Sequence, residues 1–135
     1  MLHRISRRFT FCLLAMILLA MTVTSCATLP PAQPTRDMQD IAGKWIGTLY
    51  RRDGRNLAAT LTIKEDGTWE HLIPALTNPG PLFVGSMTVV DGKYRFTSAT
   101  TGNTGTVTLY EGDGKRILIL TNDTTGGRAE YRPAQ

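Results

Sequence analysis

The chain has 135 residues, of which 41% are hydrophobic and 19% are charged. That length fits one ordinary domain and excludes a Rossmann enzyme or a TIM barrel, and the composition excludes wholesale disorder. The formal charge of +4 arises at the amino terminus, where Arg4, Arg7 and Arg8 stand without an acidic residue. The other 12 of the 15 basic residues nearly balance the 11 acidic ones, so we expect no nucleic-acid partner.

The first 25 residues have the three-part pattern of a secretory signal. A basic segment, 1–8, precedes an apolar run, 11–23, that is shorter than the roughly 20 residues of a spanning helix. Val23-Thr24-Ser25-Cys26 follows and resembles a bacterial lipobox. The resemblance implies cleavage before Cys26, acylation of its thiol (palmitate) and of its new amine, and a stable membrane anchor. The alternative is an ordinary cleaved signal followed by a chance cysteine.

The residues around Cys26 suggest where the chain is located and how it is organised. Ala27, not an aspartate, follows the cysteine, which resembles outer-membrane sorting in the envelope of enteric-type bacteria. Cys12 would be removed with the signal, so we expect neither a disulfide nor thiol catalysis. Prolines at 30, 31 and 34 indicate an extended tether. The predicted organisation is a signal over 1–25, a lipidated cysteine with a flexible tether over 26–40, and a folded domain over 41–133.

From residue 41 onward, short β-forming runs alternate with turn-forming residues, and no segment has ten residues of helical periodicity. The dipeptides Asp66-Gly67, Asp91-Gly92 and Asp113-Gly114 supply the positive φ angles of tight turns and predict three similar hairpins. The predicted strands are 42–51, 57–65, 68–73, 82–90, 93–99, 106–111, 115–121 and 127–132.

Successive turns of such a meander lie at opposite ends of the sheet. The Asp-Gly turns therefore share one end, and the looser connections 53–56, 74–81, 100–105 and 122–126 share the other. The first and last of eight strands are antiparallel and can pair, which removes exposed edges. We predict an all-β protein, an eight-stranded antiparallel up-and-down β-barrel with one tight end and one polar mouth.

Alternation along the strands predicts which residues face the barrel interior. The predicted interior residues are Gly43, Trp45, Gly47, Leu49, Leu57, Ala59, Leu61, Ile63, Tyr94, Phe96, Val107 and Leu109. The segment 117–120 is apolar on both faces. Its outer face is either covered by a neighbour, or a partner surface, or simply the product of a strongly β-forming sequence.

Gly43-Lys44-Trp45 opens the first strand and resembles the Gly-x-Trp signature of the lipocalin and wider calycin barrels. The resemblance implies eight antiparallel strands and a closed end that Trp45 plugs. It also implies an arginine late in the last strand that lies over the indole, and Arg132 stands at that position. A guanidinium over an indole is a favourable cation–π contact.

Residues with catalytic or metal-binding chemistry do not cluster in the sequence. His71, beside Glu70, is the only histidine after the signal, and consecutive strand residues face opposite ways. We interpret it as an ordinary surface or core residue. Turn geometry explains the aspartates that precede glycine, so they do not indicate a glycosidase pair. We predict no catalytic residue, no metal and no cofactor, and we expect that the chain is not an enzyme.

The mouth is the candidate binding region, since loops on a rigid barrel commonly carry recognition. Its candidate residues are Arg51, Arg52, Arg55, Asn78, Asn103 and Asn122. Two functions stay open besides membrane attachment through the lipid. One is binding of a small apolar or amphipathic ligand at the mouth. The other is a filled barrel whose mouth loops bind an envelope protein as an interaction or inhibitor module. An eight-stranded barrel allows either interior.

Overall fold

The structure is a computed structural model, and it describes residues 28–34, 37–76 and 82–135. The predicted signal, Cys26 and Asn78 lie outside the described residues. In the part of the chain that is described, no helix is long and apolar enough to cross a membrane.

Eight strands form a closed antiparallel barrel in which each strand pairs with its neighbours in the chain and β8 returns to β1. The predicted fold class is confirmed. Two short 3-10 helices, Met38–Asp40 and Pro74–Leu76, accompany the strands. The strands are β1 (Gly43–Tyr50), β2 (Asn56–Ile63), β3 (Thr68–Leu72), β4 (Leu82–Val90), β5 (Lys93–Ser98), β6 (Thr104–Gly112), β7 (Lys115–Asn122) and β8 (Arg128–Pro133).

The three Asp-Gly turns lie at one end of the barrel, which we call the closed end; the β1–β2, β3–β4, β5–β6 and β7–β8 connections form the open end. Two of the turns are alike, with positive φ at both Asp91 and Gly92 and at both Asp113 and Gly114, as mirror-image two-residue turns require. The β2–β3 turn differs, because only Gly67 has a positive φ there. Its carbonyl accepts a hydrogen bond from the Met87 N–H (2.7 Å), which draws this turn towards β4.

The interior of the closed half is filled by side chains. The alternation that the sequence predicts places Leu61 and Ile63, Val107 and Leu109 in the buried core. On β7, Leu118 belongs to that core, whereas Ile117 and Ile119 alternate with it on the other face and are nonetheless only 6% and 7% exposed. The outward face of this strand is therefore covered. The buried core consists of Ile41, Trp45, Ala59, Leu61, Ile63, Trp69, Ile73, Met87, Tyr94, Phe96, Val107, Leu109, Leu118, Ala129 and Tyr131.

Trp45 plugs the closed end, but the arginine that lies over its ring is not the predicted Arg132. The indole is buried and donates its Nε1–H to the Ile41 carbonyl (2.9 Å). Arg116 of β7 lies over the ring, 5.6 Å from its centroid, and donates to the Asp40 carbonyl. Arg132 is exposed and pairs with Ile46, not with Trp45. Ile46 is an outward residue, so the same alternation directs Arg132 away from the interior.

Part of the segment that the sequence assigns to the tether is hydrogen-bonded to the barrel. The last β5–β6 pair is Tyr94 with Val107, so β6 extends beyond β5. The Gln33 N–H donates to the Leu109 carbonyl (2.7 Å), and the Glu111 N–H donates to the Pro31 carbonyl (3.1 Å). This segment therefore covers a strand edge that would otherwise be unpaired.

The residues just before β1 close the same end. Asp37 begins the first 3-10 helix, and its carbonyl accepts a hydrogen bond from the Tyr94 hydroxyl (2.8 Å). Met38 packs against the core, and Ile41 is fully buried. The closed end thus includes residues 37–40, which lie before the predicted domain boundary at residue 41.

Candidate functional site

A cavity of about 420 Å³ occupies the open half of the barrel. Apolar and aromatic side chains line its inner part, among them Leu49, Phe83 and Leu120. None of the residues that fill the closed half around Trp45 reaches it. The barrel interior is therefore packed at one end and hollow at the other. Binding pockets for small molecules typically span ~300–1,000 Å³ and are largely apolar.

Aromatic rings and glycines shape the inner wall of the cavity. Trp69 on β3 pairs with Gly85 on β4, and Phe96 on β5 pairs with Gly105 on β6. A Cβ atom at Gly85 would lie 2.6 Å from the Trp69 ring, and one at Gly105 would lie 2.4 Å from the Phe96 ring. Each ring therefore lies directly over a glycine of the neighbouring strand. The two rings meet edge to face, with centroids 6.1 Å apart, which is a favourable aromatic arrangement.

His71 and Tyr131 form a polar pair in the cavity wall, in which Tyr131 is buried and His71 is half-buried. The Tyr131 hydroxyl lies 2.6 Å from His71 Nε2, and the Tyr131 ring meets the imidazole edge to face. Burial lowers the pKa of His71 to about 4 and raises the pKa of Tyr131, because desolvation disfavours both charged forms. Both side chains are therefore neutral at pH 7.

Two further polar groups belong to side chains that line the cavity. The Trp69 indole N–H is buried and has no acceptor among the described residues. Ser98 is buried as well, and its hydroxyl oxygen accepts a hydrogen bond from the Thr101 N–H (3.2 Å). As far as the described residues line it, the inner wall thus contains hydrogen-bonding groups but no ionised side chain.

The predicted arginines stand at the rim and differ in their contacts. Arg51 and Arg52 line the cavity, whereas Arg55 does not. Asp53 is paired with Arg55 (2.7 Å) and Arg51 (3.2 Å). The hydrogen bonds from Arg55 are the main reason that the pKa of Asp53 is lowered to about 2. The Arg52 guanidinium lies against Gly126 of the β7–β8 turn and has no ion pair within the described ranges.

The predicted asparagines stand at the same rim. Asn103 and Asn122 both line the cavity. The Asn122 side-chain oxygen accepts hydrogen bonds from the N–H groups of Thr124 and Thr125, both 2.9 Å, and so holds the β7–β8 turn. Asn78 lies outside the described residues. Four of the six predicted mouth residues therefore meet at one opening.

The inner wall includes His71 and Tyr131, which the sequence did not indicate as site residues. His71 was interpreted as an ordinary surface or core residue, yet it lines the cavity and is bonded to Tyr131. Alternation offered a signal, because Trp69 and His71 share one face of β3, Ile73 follows in the same alternation just after the strand, and Trp69 and Ile73 are buried. The partner on β8 is 60 positions away in the chain, and the sequence carries no sign of it.

The described side chains do not form a recognisable catalytic or metal centre. No group of three or more His, Cys, Asp or Glu side chains within these ranges is placed to hold a metal ion. Ser98 and His71 both line the cavity, but no hydrogen bond joins them. Comparison with protein-family models, with curated proteins and with solved structures finds no match to this chain.

Proposed function

We propose that this chain is a lipid-anchored, non-enzymatic protein of the bacterial cell envelope whose barrel binds a small apolar or amphipathic molecule. The cavity of about 420 Å³ carries this proposal, because it is apolar inside, polar at its rim and enclosed by a closed sheet. The eight antiparallel strands, Gly43-Lys44-Trp45 at the start of β1 and the arginine over Trp45 support a lipocalin-like classification.

The proposal of binding without catalysis is supported by the cavity's polar groups. A nucleophile needs an adjacent base that is itself held in place. Within the described residues, the His71 imidazole is bonded to a tyrosine hydroxyl and the Ser98 hydroxyl to a backbone N–H. No further hydrogen bond from a described residue holds the His71 imidazole in place, burial raises the pKa of the Tyr131 hydroxyl, and the Ser98 hydroxyl is not bonded to His71.

The proposed anchor at Cys26 fits the course of the described chain. Pro31 follows Cys26 by five positions, which an extended chain spans in about 17 Å. Pro31 is bonded to Glu111 near the closed end. A lipid on Cys26 would therefore hold the closed end near the membrane and direct the open end away from it. In a two-membrane envelope we propose the outer membrane.

The anchor can be tested by membrane fractionation with detergent partitioning. Cys26→Ser should yield an unprocessed or soluble protein, because it removes the acylated thiol. Cys12→Ser is the matched control and should be processed and partition like the natural chain. Normal processing and unchanged partitioning of the Cys26→Ser protein would exclude lipidation at this position.

The cavity can be tested with phenylnaphthylamine, an uncharged dye whose fluorescence rises when it leaves water. Leu49→Trp enlarges a side chain that lines the cavity, whereas Ile46→Trp adds the same group on the exposed face of the same strand. We expect the first substitution to weaken dye binding at least tenfold and the second to leave it unchanged. Equal dye binding by both variants would argue against a ligand in the barrel.

Native mass spectrometry of protein purified from its source separates the two functions that the sequence leaves open. A co-purifying small molecule supports ligand binding. An empty barrel in stoichiometric complex with another protein supports the interaction module.

A further inference from the structure

The inner end of the cavity offers hydrogen-bond donors that the described protein groups do not use. The Trp69 indole N–H is a donor only, and it has no acceptor. His71 uses Nε2 towards Tyr131. If His71 Nε2 accepts the hydrogen bond from the Tyr131 hydroxyl, the proton of the imidazole is on Nδ1. The Nδ1–H is then a donor without a protein partner in the described ranges. If Nε2 carries the proton and donates to the Tyr131 oxygen, the Tyr131 O–H is the donor that has no acceptor. In either tautomer the pair has one unused donor.

These donors lie on one side of the barrel. Trp69 and His71 are two positions apart on β3 and therefore point to the same face. Both line the cavity, as does Tyr131. Leaving a buried donor without an acceptor destabilises the protein, and in the described cavity wall this cost falls on the Trp69 N–H. A ligand that supplies an acceptor oxygen at this depth recovers that cost.

The charge of the inner wall restricts the kind of acceptor. Among residues 28–34, 37–76 and 82–135, the charged ones that line the cavity are Arg51, Arg52 and Arg128, and all three lie at the rim. His71 is uncharged at pH 7 because burial lowers its pKa to about 4. A carboxylate moved from water to the inner end would meet no cation from the part of the chain that is described and would carry a large desolvation penalty. An uncharged carbonyl oxygen avoids that penalty and still accepts hydrogen bonds.

We propose that the ligand is an uncharged molecule with an apolar body and a carbonyl-type acceptor oxygen, and that this oxygen enters first and bonds to the donors of Trp69 and the His71–Tyr131 pair. This inference rests on the proposed binding function and specifies its ligand. The aromatic wall of Trp69, Phe83 and Phe96 packs the apolar body, and the arginines contact whatever remains at the rim.

Three probes of similar shape test the inference: acetylnaphthalene with a neutral carbonyl, ethylnaphthalene without an acceptor, and naphthoate with a carboxylate. A net hydrogen bond of ~1 kcal/mol corresponds to about fivefold in affinity. We expect acetylnaphthalene to bind about fivefold more tightly than ethylnaphthalene in calorimetric titrations at pH 7. We expect the preference to disappear when Trp69→Phe is combined with His71→Phe and Tyr131→Phe. Tyr110→Phe, which removes a hydroxyl that does not line the cavity, is the control.

The two tryptophans provide a second readout that does not depend on affinity. In ¹⁵N–¹H spectra, acetylnaphthalene should shift the Trp69 indole resonance downfield and leave that of Trp45, which already donates to Ile41, in place. Ethylnaphthalene and naphthoate should not produce the downfield shift. The single Trp69→Phe variant assigns the two resonances.

The outcomes separate this inference from the function on which it rests. If acetylnaphthalene and ethylnaphthalene bind equally and the Trp69 resonance does not move, the carbonyl inference is wrong while ligand binding stands. A downfield shift with naphthoate equal to that with the ketone overturns the requirement for an uncharged ligand. If no probe binds and phenylnaphthylamine does not bind either, the proposed function fails together with the inference.

Discussion

The two tryptophans of this barrel, one in the packed core and one in the cavity wall, differ in how their polar atoms are satisfied. Trp45 at the closed end is buried, donates to the Ile41 carbonyl and lies beneath Arg116. Trp69 in the cavity wall is also buried, but its N–H has no acceptor among the described residues. Buried polar groups are normally bonded. At the closed end the Trp45 N–H is satisfied, and Arg116 Nε, which has no hydrogen bond among the described residues, lies 3.5 Å from a Glu111 carboxylate oxygen. In the cavity wall the Trp69 N–H has neither an acceptor nor a charged partner among those residues.

The closed and open halves of the barrel also differ in how completely side chains fill their interiors. Segment 37–42 and the core side chains fill the closed half, and the cavity takes up the open half. Deviations from full packing and full polar satisfaction are expected where a protein binds something. We infer that the closed end mainly supplies stability and that the open half mainly supplies recognition. Four substitutions test this division, from the largest expected effect to the smallest.

Trp45→Ala should cause the largest loss of stability. Truncating a buried tryptophan typically costs about 3–5 kcal/mol, and here the hydrogen bond to Ile41 and the contact with Arg116 are lost as well. Urea denaturation followed by far-UV circular dichroism measures the loss. A cost below about 1 kcal/mol would contradict the view that the closed end stabilises the barrel.

His71, in the wall of the open half, should make the free energy of unfolding of the protein depend on pH. Its pKa is about 4 in the folded protein, below the ordinary value of 6.5, so the unfolded chain binds the additional proton between these values. Stability should therefore fall as the pH drops from about 6.5 to about 4, by up to roughly 3 kcal/mol, and this contribution should not change further below that range.

His71→Gln is the comparison for this measurement, because glutamine forms hydrogen bonds but does not titrate. The carboxylates titrate in both proteins, so their effect cancels in the difference between the two stability curves. Parallel curves between pH 4 and 6.5 would show that His71 is not desolvated.

Arg116→Ala should cost about 1–2 kcal/mol, because it removes the cation over Trp45 and the hydrogen bond to the Asp40 carbonyl. Arg132→Ala is the matched control on the adjacent strand, and its cost should stay within about 0.5 kcal/mol because Arg132 is exposed. Chemical denaturation of both variants measures the two losses of stability and shows which arginine contributes more. A larger loss for Arg132→Ala would restore the pairing that the sequence resemblance implies.

Arg52→Ala should have the smallest effect on stability, within about 0.5 kcal/mol, because the side chain is exposed and has no ion pair in the described part of the chain. Differential scanning calorimetry should give nearly the same melting temperature as for the natural protein. A shift of many degrees would mean that the rim supports the barrel and does not serve recognition alone.

The sequence by itself determined the architecture of this protein. Period-two alternation on β2 and β6 assigned the buried faces, and the Asp-Gly dipeptides located three turns at one end. Both signals are local, since alternation needs only neighbouring residues and a tight turn needs only two residues with suitable φ angles. The even number of strands then made closure possible, and the structure confirms it. The arginines and asparagines of the mouth followed from the same count of turns.

The tertiary structure alone decided what lies inside the open half. His71 meets Tyr131, Arg116 takes the position predicted for Arg132, and the Pro31–Glu111 bond ties the predicted tether to β6. Each contact joins residues that are 60 or more positions apart, and the hydrogen-bond register between strands and the coiling of the sheet bring them together. Local sequence specifies which face a side chain takes. Only the closed barrel specifies which distant side chain it meets there, and whether the space between them is filled.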